Sequence, residues 1–160
     1  MVEYLHAYWR MPYIDAPKDP KVNNPFLAIL KDPDERKSLL LFKTHHCFAI
    51  LNRFPYNGGH ILVLPQREVQ DLTDLTPDES TDFFKTITRA EKMLKEALHP
   101  DGINVGINLG SAAGAGIPKH LHCHLVPRWL GDTNFMPVIG DTKVLPIALE
   151  HLWEKLRQFV

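Results

Sequence analysis

Cysteine is scarce in this chain of 160 residues: Cys47 and Cys123 stand alone, with no CxxC pair. That excludes a disulfide framework and a cysteine zinc knuckle, and makes a reduced, cytoplasmic setting the expectation. Net charge is equally sparse, since 18 Lys and Arg against 19 Asp and Glu leave −1. Such a balance argues against a protein held on nucleic acid by bulk positive charge, while leaving room for a local anion site. No apolar run approaches the roughly twenty residues that cross a bilayer. The aromatic, mixed start MVEYLHAYWRMPYID has no apolar stretch of signal length. Internal repeats and low-complexity tracts are absent, and the length suits one domain, 1–160. What the chain does have is histidine, nine in all and unevenly spread.

Pro12, Pro17, Pro20, Pro25 and Pro33 forbid long helices or central strands in residues 1–37. These read as an irregular arm with a short helical turn around Asn24–Leu30, and 31–37 as a solvated, mixed-charge loop. A core over 38–127 follows. Leu39–Lys43 and Cys47–Asn52 form a strand pair, Phe54–Gly59 a turn cluster, and His60–Leu64 a strand stopped by Pro65. Thr76-Pro77-Asp78-Glu79 starts a helix with a capping box and proline at its first position. Phe83, Phe84, Ile87, Ala90, Met93 and Leu94 recur at helical spacing and predict a buried face. Ile103–Leu109 alternates apolar residues with Asn104, Gly106 and Asn108, a half-buried strand. Gly110–Pro118 is a small-residue loop, and Lys119–Val126 a strand stopped by Pro127. Over 128–160 a loop leads to an amphipathic helix between Pro146 and Phe159. Strands following strands, with helices set apart, predict an α+β fold on an antiparallel sheet.

The chemistry lies in Lys119-His120-Leu121-His122-Cys123-His124-Leu125-Val126-Pro127. On a strand, His120, His122 and His124 would share one face, neighbouring Cα atoms roughly 6.5–7 Å apart, with Leu121, Cys123 and Leu125 entering the core. Three readings compete. A zinc site needs nitrogens at about 2.0–2.1 Å, and the outer pair is too far apart on a flat strand to share one ion comfortably. A merely solvated face is the second, but three alternating histidines beside a glycine-rich loop are a poor fit to accident. The third, phosphate chemistry by a histidine nucleophile, is favoured: neutral imidazole attacks well near pH 7 and divides a hard displacement into two easier ones. It needs the second ring nitrogen held by an acceptor, and donors for the phosphate oxygens. The main chain of Gly110–Gly116 can approach an anion closely.

His120-Leu-His122-Cys-His124-Leu-Val126 resembles the His-φ-His-φ-His-φ-φ signature of the histidine triad (HIT) superfamily, φ being apolar. The resemblance extends to Ala49–Asn52, Pro55, Gly59–Pro65 and Asn104–Gly110. At the ends, Tyr8–Ile14 and Pro127–Phe135 are similar to the Fhit-like and bacterial diadenosine tetraphosphate phosphorylase-hydrolase branch. It implies a HIT-like fold: a five-stranded antiparallel sheet with two main helices, joined across a homodimer into ten strands. It implies cleavage of dinucleoside polyphosphates at an α-phosphate through a nucleotidyl-histidine intermediate, with water or inorganic phosphate as acceptor. A nucleoside phosphoramidase, or a nucleotide-binding sensor without turnover, are the alternatives.

Carried over by position, the resemblance makes His122 the nucleophile and His124 a phosphate ligand, with His120 orienting the site together with His60. Asn52 falls where ribose is contacted and Asn108 near the leaving group or phosphate, while Ile50 and Leu51 line the base pocket. Gly110, Ser111, Gly114, Gly116 and Lys119 are placed to receive phosphate. Trp129, like Trp9, stands where an aromatic ring could stack on a second nucleoside or lie buried beneath the arm. Some relatives carry zinc cysteines before the first strands; Asn24–Ala28 has none, so no structural zinc is expected. No bound cofactor is expected, magnesium arriving only with substrate phosphates. A pre-triad serine or threonine common in relatives is replaced by Gly116 and Ile117. Elsewhere, His45 and His46 read as surface residues, the two cysteines as core, and Trp153 as packing.

Overall fold

The computed structural model describes residues 24–140, 142 and 144–160. The resemblance at residues 8–14, and Trp9 with it, lies outside them. Asn24 opens the first helix, α1 (Pro25–Lys31), its side-chain oxygen accepting from the main-chain N–H of Phe26 at 3.0 Å and Leu27 at 3.4 Å. Proline at the first helical position loses no bond there. A further short helix, α2 (Glu35–Ser38), is capped by Asp34. The expected turn of helix is therefore present, but the stretch read as a solvated loop also contains a helix. Its Glu35 and Arg36 pair with Arg157 and Glu154 of the C-terminal helix.

Five strands follow: β1 (Leu40–Lys43), β2 (Cys47–Leu51), β3 (Ile61–Pro65), β4 (Gly102–Ile107) and β5 (Cys123–Arg128). They form one antiparallel sheet in the order β1-β2-β3-β5-β4. Between β3 and β4 runs α3 (Pro77–Leu98), which starts at the expected capping box. Thr76 Oγ1 accepts from Glu79 N at 3.2 Å, and Glu79 Oε2 accepts from Thr76 N at 2.9 Å. After β5 come α4 (Met136–Gly140) and α5 (Leu149–Arg157).

Every residue of β2 and β3 is buried because both sheet faces are covered. On one face Ala49, Val63, Cys123 and Leu125 pack against Phe83, Met93, Leu94 and Leu152 of the two longest helices. On the other, Leu40, Phe48, Ile50, Leu62 and Leu64 pack with Phe26 of α1. The first face is the larger core; the second carries the site. Both cysteines lie in the first, and burial pushes the Cys47 thiol up to about 12 and the Cys123 thiol to about 11.

Several boundaries differ from expectation; β3, for one, includes the Pro65 expected to stop it, paired with Cys47. The triad strand begins at Cys123, not Lys119, and runs through Pro127 to Arg128. His120 and His122 precede it because imidazoles take the main-chain acceptors there: His120 bonds Pro65 O and His122 bonds His120 O. Pro127 is tolerated because pairing with β3 ends at Ile61↔Leu125, so only β4 runs beside it. β4 stops at Ile107, leaving Asn108 and Leu109 in the loop. Of the expected apolar face only Ile103 and Ile107 pack against the larger core; Val105 is 52% and Leu109 42% exposed. In α3, Phe83 is buried but Phe84 is 71% exposed. Each helical residue advances about 100°, so Phe84 leaves the face shared by Phe83, Ile87, Ala90 and Leu94.

Candidate active site

His122 sits just before β5, only 6% exposed, with its Nδ1 2.7 Å from the carbonyl oxygen of His120. A carbonyl only accepts, so Nδ1 carries the proton and Nε2 the lone pair. Burial holds the His122 imidazole below its ordinary 6.5, with the carbonyl bond acting in the opposite direction. The ring is therefore neutral at neutral pH, with Nε2 available as a nucleophile.

A relay assigns the opposite protonation to His124. The main-chain N–H of Tyr56 donates to His60 Nδ1 at 3.1 Å, and Asn52 Nδ2 lies 3.2 Å from the same atom. His60 Nε2 must then carry its proton, and it meets His124 Nδ1 at 2.9 Å. That leaves the His124 proton on Nε2. The His122 and His124 ring centroids are 5.0 Å apart. Tyr56 stacks on His124 at 5.5 Å and 18°.

The two imidazoles border a cavity of about 270 Å³. Its apolar wall is Pro25, Phe26 and Ile29 of α1 with Ile50, Leu62 and Ile117; its polar rim includes Asn52, Arg53 and Tyr56, with Gly114 and Gly116 opposite. A second, more polar groove of about 380 Å³ shares Tyr56 and His124 with the first, and is lined by Asn104, Asn108 and Arg128.

Of the sequence-derived candidates, His122, His124, Asn52, Ile50, Gly114 and Gly116 thus border one cavity, and Asn108 the adjoining groove. His60 lies beneath, fully buried. Leu51 touches the cavity, yet its side chain belongs to the core under α3. Gly110 and Ser111 border neither space; Gly110, at φ +77°, turns the chain into a single 3-10 turn. Lys119 lines a separate polar cleft with Arg67 and Glu68, because the chain before Cys123 departs from the strand. Trp129 is half-buried and lines neither space; its main-chain N–H donates to Asp132 Oδ2. His120 contributes its carbonyl; its ring lies 5.7 Å from Phe26 and 6.5 Å from Phe48, and burial lowers its basicity. Sequence reasoning missed Tyr56, Phe26, Ile29 and Arg53. Tyr56 was legible only as part of a turn cluster, and nothing in the spacing of residues 25–31 shows that a helix will fold across the sheet. Among the described residues, no group of three or more His, Cys, Asp or Glu side chains is gathered to hold a metal ion.

The chain is similar to known proteins in sequence and in fold. The HIT domain family matches residues 34–129. An AP-4-A phosphorylase of Mycobacterium tuberculosis is 41% identical over 155 residues, covering 92% of this chain and 79% of its own. An asymmetrical bis(5'-nucleosyl)-tetraphosphatase of Schizosaccharomyces pombe is 37% identical over 95 residues, covering 59% of this chain and 52% of its own. The crystal structure of a zinc-bound histidine triad family protein from Mycobacterium smegmatis superposes with a TM-score of 0.67 at 28% identity, over 86% of this chain and 93% of that one. By the match over residues 34–129 and the 41% identity to the M. tuberculosis relative, the chain belongs to the HIT domain family.

Proposed function

We propose that this protein cleaves dinucleoside polyphosphates such as diadenosine tetraphosphate through a nucleotidyl intermediate on His122. The observation that carries the reading is the pair of opposite tautomers in two imidazoles that border one cavity: a lone pair on His122 Nε2 and a proton on His124 Nε2. The base enters between Phe26, Ile29 and Ile50, and Asn52 meets the ribose hydroxyls. Main-chain N–H groups around Gly114 and Gly116 approach the phosphates, and Asn108 serves the leaving side. His122 Nε2 attacks the α-phosphorus, and the bond to the bridging oxygen breaks with its electron pair leaving on the polyphosphate. His124 donates to a phosphate oxygen as charge develops. Water or inorganic phosphate then attacks the same phosphorus, the P–N bond breaks, and His122 is restored. Magnesium accompanies the substrate phosphates and needs no protein ligands of its own.

The M. tuberculosis relative supports phosphate as the acceptor. The test is product analysis after incubation with diadenosine tetraphosphate, with and without inorganic phosphate. ADP plus ATP formed only with phosphate is the expected result; AMP plus ATP without phosphate would mean water is the acceptor. Nucleotide bound with no product in either tube would overturn the reading in favour of a sensor. The working form we propose is a cytoplasmic homodimer joined through β4. The other edge strand, β1, is covered by α5, since Trp153 Nε1 donates to Leu40 O at 2.8 Å and Arg157 to Leu41 O. β4 by contrast leaves Val105 52% exposed.

A further inference from the structure

The His120 ring does not border the cavity, and its hydrogen bonds run away from it. Its Nε2 lies 2.8 Å from Pro65 O, so Nε2 carries the proton and Nδ1 the lone pair. Facing that lone pair at 2.9 Å is Nδ2 of Asn24, which also donates to Oε2 of Glu68. The Asn24 oxygen is engaged by the N–H groups of Phe26 and Leu27, which settles the orientation of the amide. A residue only 7% exposed thus points its acceptor at the helix and its donor at the triad. Two residues along the same helix, Phe26 packs on both His120 and His122, at 5.7 Å and 5.5 Å.

We propose that Asn24 is a positioning residue for the reaction. Its amide holds the His120 ring in the Nε2–H tautomer and, through the His120 carbonyl, aims the Nδ1–H bond of His122. The start of α1, which walls the cavity, and the nucleophile are then one hydrogen-bonded unit. Were the His120 ring to turn over, carbon would face both Pro65 O and Asn24 Nδ2, leaving a buried acceptor and a buried donor unmet. With both ring nitrogens engaged, the peptide that carries the His120 carbonyl is pinned, and so is the direction from which His122 Nε2 meets phosphorus. The kinetic part of this inference rests on His122 being the nucleophile; the tautomer part does not.

Helix capping alone would also explain a buried Asn24, and one substitution separates the two. Aspartate caps a helix as well as asparagine, so Asn24→Asp keeps α1 but sets an oxygen against His120 Nδ1 and against the Glu68 carboxylate. Imidazole 15N spectra of the full-length protein, recorded beside steady-state kinetics with diadenosine tetraphosphate, provide the readout. In the unsubstituted protein His120 should show a bare Nδ1 and a protonated Nε2. In Asn24→Asp the His120 pattern should become doubly protonated or reversed, with kcat down about tenfold or more and KM within about threefold. Asn24→Ser, which also caps, should lower kcat in the same direction. A proton on His120 Nδ1 in the unsubstituted protein overturns the proposal even if no variant folds. So does a changed His120 pattern with kcat intact, or a fall in kcat with the pattern unchanged. An unsubstituted protein that shows the expected tautomer but no turnover would overturn the proposed function instead, and with it only the kinetic part.

Discussion

At the scale of single residues, chemically identical side chains are given different work by the acceptors they meet. His122 donates to a carbonyl and keeps its lone pair on Nε2; His124 accepts a hydrogen bond from His60 at Nδ1 and carries its own proton on Nε2. Replacing His122 with Asn removes the proposed nucleophile and should lower turnover by several orders of magnitude with the fold retained, measured by single-turnover kinetics and circular dichroism. The pH dependence follows from the same burial. The folded His122 and His120 imidazoles hold protons less well than the ordinary 6.5. As pH falls through that value the unfolded chain takes up protons first, so stability is full above it and declines below it. Urea midpoints at pH 7.5 and 5.5 should differ in that sense, and the acid limb of kcat/KM should lie below the ordinary imidazole value. Gly59, just before His60, is constrained by backbone conformation and by close neighbours. At φ +82°, an added Cβ would lie 2.5 Å from Leu98 Cδ1 and 3.1 Å from Pro127 Cγ. Gly59→Ala should cost roughly 2–4 kcal/mol by denaturant titration, combining left-handed strain with overpacking.

At the scale of elements, the start of α3 is held twice. The capping box closes it, and Arg67 forms a fork on Glu79, with bonds of 2.8 and 2.7 Å. The Arg67 guanidinium and the Thr76 N–H hold the Glu79 carboxyl at about 2, well below its ordinary value. Its contribution is therefore present above the ordinary 4.5 and lost as pH falls toward about 2. Thr76→Ala should cost about 1 kcal/mol, read from the urea midpoint at neutral pH. Asp82, one turn into the same helix, accepts from Thr44 Oγ1 and His46 N, both at 2.7 Å, which ties the β1–β2 turn to α3. His46 is thus a surface residue whose main chain is structural, while its ring stays outside the core.

At the scale of the whole molecule, the sheet separates its duties by face. One face builds the larger core with α3 and α5, and the other carries the proposed catalytic imidazoles beneath α1. Stability and site can therefore vary with some independence, except where Asn24 and Phe26 join them. The proposed dimer uses the edge that α5 does not cover. Sedimentation should give a single species of twice the chain mass, and Val105→Lys, a charge set at that edge, should shift it toward monomer without lowering the urea midpoint of the isolated chain.

The sequence by itself determined the α+β class, the α3 start at Thr76, the burial of Cys47 and Cys123, and the alternation that sets Asn104 and Gly106 opposite Ile103 and Ile107. Each is a property of a few neighbouring residues, because caps and strand periodicity are local. The spacing of His120, His122 and His124 marked the chemistry as well, but read as one flat strand it misplaced His120 and His122. Only the closed chain decided which imidazole nitrogen carries a proton. That choice depends on Pro65 O, Tyr56 N and Asn24, the last 96 positions from the His120 it meets. Tertiary structure alone also laid α1 across the second sheet face as the cavity wall. No local pattern encodes a hydrogen bond or a wall between distant segments, since both exist only once the core has brought those segments together.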